Sequence, residues 1–302
     1  MNKLFDFKDD FSSRDPDVIR YDGKFYACAA SAGNSISVIC ADTVEGLANA
    51  APKKVYVAEQ GTPYSKELWA PELHIIDGKC YIYVACDDGN NHNHRMYVLE
   101  NGCADPMAPY TMHGKIADET DKWAIDGTVI EWEGERYFVW SGWEGERNVA
   151  QNLYIAKMKD PYTLSSPRHL ISVPEYDWEK LGANGEDEDP FINEGPYGLV
   201  IDGELYITYS GAGSWCEHYC IAAMKLVGKD PLDREAWHKL PKPIFTANDM
   251  VKGAGHCSIV RTEDENLLFF HAWEKEETVI EWNRVAAWCG KLVSDDGTFS
   301  II

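Results

Sequence analysis

The chain has 302 residues, 45% of them hydrophobic, and a formal net charge of −22. That length and apolar share suffice for one large all-β domain or two ordinary ones. The acidic balance argues against nucleic acid, whose phosphates it would repel, and against an anionic membrane surface.

In chain order, the opening Met1-Asn2-Lys3-Leu4-Phe5-Asp6 has no apolar stretch of signal-peptide type, and no later run approaches the length of a membrane span. The expectation is a cytoplasmic protein, or a secreted one if a leader has been removed. Asp15-Pro16 then precedes the short apolar run Val18-Ile19, the turn pair Asp22-Gly23 and an alternating strand from Phe25. The same order returns four times. Leu73–Ile76 leads into Asp77-Gly78, and Thr128–Ile130 into Glu133-Gly134. Leu199–Ile201 leads into Asp202-Gly203, and Ser258–Val260 into Asp264-Glu265. Asp-Gly and Glu-Gly between period-two aromatic and β-branched runs are hairpin signals. Further strands are predicted at Ser35–Cys40, Arg95–Leu99, Gln151–Met158 and His218–Lys225, and Thr43–Ala50 is the one stretch with room for a helical turn or two.

The turns recur every 55 to 70 residues or so, the interval of propeller blades. The predicted fold is all-β, a single five-bladed β-propeller over residues 1–302, with a β-sandwich or two smaller β domains as the competing architectures. Nine cysteines form an odd set without paired spacing, several inside apolar runs (Cys28, Cys40, Cys80, Cys86), and read as reduced core groups.

Upstream of each turn stands one polar residue: Asp15, Glu72, Asp126, Glu194 and His256. In a propeller the inner strand of every blade borders the central channel, so Asp15, Asp126 and Glu194 would converge at one end of it. Glycosidic bond cleavage needs one carboxyl to protonate the leaving oxygen and another to activate water or attack carbon. A third carboxylate beside the acid orients it and raises its pKa. Asp15 and Asp126 also suit turns, as residues preceding Pro and Gly do; Glu194, in Asn193-Glu194-Gly195-Pro196, has no such excuse.

Other signals point less sharply. The acidic loop Gly185–Pro190 lacks the spacing of a calcium-binding EF-hand and reads as a solvated loop at the mouth of a cleft. His92 and His94, in a Gly/Asn loop, read as rim residues rather than metal ligands. Trp69 is either a stacking platform for a sugar face or one of the core tryptophans.

The order of motifs resembles glycoside hydrolase family 43 over nearly the whole chain. Arg14-Asp15-Pro16, Trp69-Ala70-Pro71-Glu72-Leu73-His74, Ile125-Asp126-Gly127-Thr128, Asn193-Glu194-Gly195-Pro196 and Gly253-Ala254-Gly255-His256-Cys257-Ser258 resemble its segments for blades one to five. The resemblance implies an inverting mechanism: Asp15 as general base, Asp126 as pKa modulator and Glu194 as general acid. It implies an ion near His256, for which calcium is the expectation, and no organic cofactor. Arg284 resembles an arginine that binds sugar hydroxyls in exo-acting members, with a surface charge as its alternative. Inversion also implies carboxyls of Asp15 and Glu194 roughly 6.5–9.5 Å apart.

The expected substrate is an oligosaccharide, and the expected activity release of terminal α-L-arabinofuranose. The alternatives are a β-xylosidase or endo-arabinanase of the same family, or a non-catalytic carbohydrate-binding propeller. The Gly-Ala-Gly-His order, in place of Gly-Pro-Gly-His, is a departure at the metal segment.

Overall fold

The computed structural model describes residues 1–32, 34–295 and 297–302. Its strands form five antiparallel blades. Blade one comprises Asp17–Tyr21, Lys24–Ser31, Ser35–Ala41 and Lys53–Val57, and blade two Lys66–Ile76, Lys79–Asp87, Arg95–Glu100 and Thr111–Lys115. Blade three comprises Ala124–Trp132, Glu135–Gly142, Ala150–Asp160 and His169–Ser172, and blade four Phe191–Ile201, Glu204–Gly211, Cys220–Leu226 and Trp237–Lys239. A two-residue parallel bridge, Ala150 to Phe191 and Gln151 to Ile192, joins these two into one sheet. Blade five is Val251–Arg261, Asn266–Glu274 and Ala286–Asp295, completed by the N-terminal strand Asn2–Asp6.

That N-terminal strand is the ring's closure. It carries no turn signal of its own, and only the pairing of Asn2 with Cys289 and of Phe5 with Ala287 gives it a place. The core is correspondingly split into five clusters, one at each contact between adjacent blades. Leu73 and Tyr26 share the first, and Tyr83 and Phe138 the second. Val139 and Ile207 share the third, and Leu199 and Leu268 the fourth. Val18 and Phe269 share the fifth, which joins blade one to blade five. Alternating strands bury both faces here because each sheet is packed on two sides.

Four of the predicted turns have the backbone that their sequence demands. Asp22, Asp77, Glu133 and Asp202 have φ between 47° and 53°, and the following glycines between 76° and 81°. Two positive φ values in a row make type I′ turns, whose twist matches that of the strands they join. The fifth, Asp264-Glu265, is a wider loop held by Thr262, which accepts from Glu265 N through Oγ1. Thr43 caps the short helix Val44–Leu47 by accepting from Gly46 N. All nine cysteines are free, as their spacing suggests.

Candidate active site

At one end of the channel the inner strands leave regular pleating. Register slips occur around Trp69, between Ile125 and Thr128, between Glu194 and Tyr197, and on both sides of Gly255. Each slip holds a residue in left-handed backbone: Ala70 (φ 43°), Asp126 (55°), Gly195 (54°) and His256 (50°). Asp15 (50°) takes the same conformation just before blade one. Bulges of this kind bend a strand and re-aim a side chain, here toward the axis. Asp and His enter the left-handed region more readily than most residues. Glu does so poorly, and the glycine after Glu194 takes that step in its place.

The result is one cavity of about 640 Å³ whose wall includes Asp15, Trp69, Asp126, Glu194 and His256. Four of the five recurring polar positions thus converge there. Glu72, the fifth, does not line it. Glu72 is buried off the cavity wall, where its Oε2 lies 3.0 Å from His74 Nε2. Buried Asp17, whose Oδ2 accepts from Leu73 N, is its neighbour in charge.

Hydrogen bonds fix the convergent groups. His256 Nδ1 lies 3.2 Å from Asp15 Oδ1 and 3.9 Å from Asp126 Oδ2. Gly195 N donates to Asp126 Oδ2 at 3.1 Å, and Tyr219 OH donates to Glu194 Oε1 at 2.8 Å. Asp15 N donates to His271 Nδ1 at 3.1 Å. Beside Glu194, Asn193 is locked by buried Glu179, which also receives Lys239 Nζ at 2.6 Å and Tyr209 OH at 3.0 Å. That network anchors the strand at the residue next to the carboxyl.

The three carboxyls are driven apart in acidity. Burial works to raise Asp15, but neighbouring His256 prevails and holds it well below the usual carboxylate range. Burial, then the charge of Asp15, pushes Asp126 well up. Burial, then Asp126, pushes Glu194 up to about 8. Divergent carboxyls in one cavity are the arrangement that assigns a base and an acid.

One expected contact turns out differently. Arg284 does not stand on the cavity wall; its own loop claims it, with Glu277 at 2.9 Å and Glu281 at 3.4 Å. Trp282 of the same turn and Arg14 line the cavity instead, the guanidinium 5.8 Å from that indole's centroid. His256 as a metal ligand fits poorly. A hard cation needs several oxygen donors, whereas His256 Nδ1 faces Asp15. Among the described residues no group of three or more His, Cys, Asp or Glu could hold an ion.

Trp69 does line the cavity, its ring stacked on His94 at 4.0 Å and its Nε1 donating to Glu67. Tyr219 and His271 carried no motif; only their three-dimensional contacts single them out. The acidic loop sits at the mouth, where Glu188 and Asp189 line the cavity and Glu188 Oε1 lies 3.1 Å from His92 Nε2.

Two stability predictions follow from this packing. A Cβ on Gly255 would stand 1.9 Å from Tyr219 Cε1, so Gly255→Ala must displace that ring. Overpacking of this kind costs about 1–3 kcal/mol, and thermal unfolding together with turnover should both register the loss. Unchanged melting and turnover would mean that the ring has room to give.

Off the cavity wall, burial first and then Glu72 raise Asp17 to about 7, and burial raises Glu72 to about 8. Folded values above the unfolded ones mean that their contribution is intact in acid and is lost as pH rises through 7 to 8. Glu72→Gln should therefore raise the melting temperature relative to wild type near pH 9 and change it little near pH 5. A difference independent of pH would contradict the buried pair's role.

Known proteins resemble this chain over most of its length. The model of glycosyl hydrolases family 43 matches residues 10–299. An extracellular exo-α-(1→5)-L-arabinofuranosidase of Streptomyces chartreusis is 33% identical over 274 residues, covering 88% of this chain and 81% of its own. A protein of the same name from Streptomyces avermitilis is 30% identical over 85% of this chain, which spans about half of that relative (54%). The crystal structure of an α-L-arabinofuranosidase from Lactobacillus brevis superposes with a TM-score of 0.85 at 32% identity, over 96% of this chain and 93% of its own. Relatives named extracellular give no support to a cytoplasmic location. Among the described residues no helix is long and apolar enough to cross a membrane.

Proposed function

The chain belongs to glycosyl hydrolases family 43, and we propose that it is an inverting, exo-acting α-L-arabinofuranosidase. Its substrates would be arabino-oligosaccharides or fragments of arabinan and arabinoxylan, from which it releases terminal α-L-arabinofuranose. The observation that carries this reading is the meeting of Asp15, Asp126 and Glu194, from three blades, in one cavity with opposed acidities. The names of the relatives give the sugar.

Asp15, ionised, would take a proton from water as that water attacks the anomeric carbon. Glu194, still protonated near neutral pH, would give its proton to the departing oxygen from the opposite face. Asp126 would hold the backbone at Gly195 through its hydrogen bond, and burial together with the closeness of the two carboxyls would keep a proton on Glu194 by disfavouring a second negative charge there. The relatives' names support exo action. Asn91 and Asn148 come from loops of blades two and three, and the contact of His92 with Glu188 ties blade two to the acidic loop over the mouth.

The test is release of p-nitrophenol from the α-L-arabinofuranoside and the β-D-xyloside, side by side. Preference for the arabinoside is expected. Preference for the xyloside would keep the site and overturn the sugar, and silence on both with cleavage of linear arabinan would overturn exo action. The pH profile follows from the same acidities. With Glu194 at about 8, turnover should fall above that pH as the acid loses its proton. Because Asp15 stays ionised below the usual carboxylate range, activity should persist into mild acid. A profile that rises through pH 8 would contradict the assignment of the acid.

A further inference from the structure

Two buried rings stand behind the carboxyls and off the cavity wall. Tyr219 lies just ahead of the strand Cys220–Leu226 of blade four, and His271 lies in the strand Asn266–Glu274 of blade five. Both are essentially inaccessible, at 0% and 1%. Their planes are 15° apart and their centroids 5.6 Å apart. Tyr219 OH reaches Glu194 Oε1 at 2.8 Å, while His271 Nδ1 accepts from Asp15 N at 3.1 Å. One stacked pair therefore touches both the acid and the base. Its other nitrogen, His271 Nε2, is buried without a partner among the described residues, a cost that packing alone does not explain. Gly255 is what lets Tyr219 come this close.

We propose that Tyr219 and His271 form a positioning unit that sets Glu194 and Asp15 relative to each other, with Tyr219 selecting the oxygen of Glu194 that gives up the proton. The inference rests on the acid and base roles proposed above. A phenol that donates to Oε1 uses a lone pair of that oxygen. The transferable proton is thereby left to Oε2, on the oxygen free to face the leaving group. On the other side, an acceptor at Nδ1 holds the Asp15 backbone in its left-handed conformation, which aims the base.

Tyr219→Phe keeps the ring and the stack and removes only the hydroxyl. Its kcat on an arabinose disaccharide should fall about 10- to 100-fold with KM nearly unchanged, and its kcat on the p-nitrophenyl arabinoside by no more than about threefold. His271→Phe keeps a ring but loses Nδ1, and should slow both substrates alike. His271→Asn, whose amide oxygen can accept near the same place, should recover part of that loss. Wild-type turnover for Tyr219→Phe, or an equal loss on both substrates, would overturn the proposal, as would His271→Asn no better than His271→Phe. Glu194→Gln on the same two substrates separates the failures. If it shows the leaving-group dependence and Tyr219→Phe does not, only the positioning unit falls; if neither does, the acid assignment falls with it.

Discussion

Glu194→Gln should lower turnover of an arabino-oligosaccharide by about 10²- to 10⁴-fold while leaving the fold intact, since general acid catalysis contributes on that order. The amide keeps the shape of the side chain and can still meet the Tyr219 hydroxyl, which donates to Oε1 at 2.8 Å. What it lacks is the proton that burial and Asp126 keep on Glu194 up to about pH 8. A good leaving group needs little protonation, so the deficit should shrink sharply on aryl arabinosides, and the fall in turnover above that pH should disappear. Paired kcat values on an oligosaccharide and a p-nitrophenyl glycoside measure both effects. Equal losses on the two would remove Glu194 from the acid role.

Asp15→Asn should cost about as much, on the order of 10³-fold, and should do so on both kinds of substrate. Activation of water is needed whatever the leaving group is. The wild-type carboxylate is held ionised against the cost of burial chiefly by His256, whose Nδ1 lies 3.2 Å from Oδ1. An asparagine retains the left-handed backbone that φ of 50° requires, because Asn tolerates it as Asp does. Loss of activity with an unchanged melting temperature is therefore the expected pair of readings. A loss that depends on the leaving group would exchange the roles of Asp15 and Glu194.

The ring of blades was legible because its turns have a strict local chemistry: Asp-Gly and Glu-Gly fill type I′ positions whatever surrounds them. The closing strand Asn2–Asp6 was not, because its only warrant is a partner nearly the whole chain away. Asp15, Asp126, Glu194 and His256 stood out by recurrence at one place in the repeat, and the bulges at those places explain the recurrence. Glu72 shared that recurrence but faces Asp17 and His74, since the strand slips register between Trp69 and Glu72. Arg284 shows the limit of a resemblance for a long flexible side chain, as nearby Glu277 and Glu281 decide where it points. Tyr219, His271 and the Glu179–Lys239 pair were invisible for a different reason. Their partners lie 14 to 256 residues away and follow no period.

The most direct measurement is the anomeric form of the first sugar released, followed by proton NMR before mutarotation. An α-arabinofuranoside should yield β-arabinofuranose first, because water activated by Asp15 attacks the face opposite the one Glu194 protonates. Initial release of the α-anomer would mean retention, with a carboxylate attacking the carbon itself, and would contradict the account of this site.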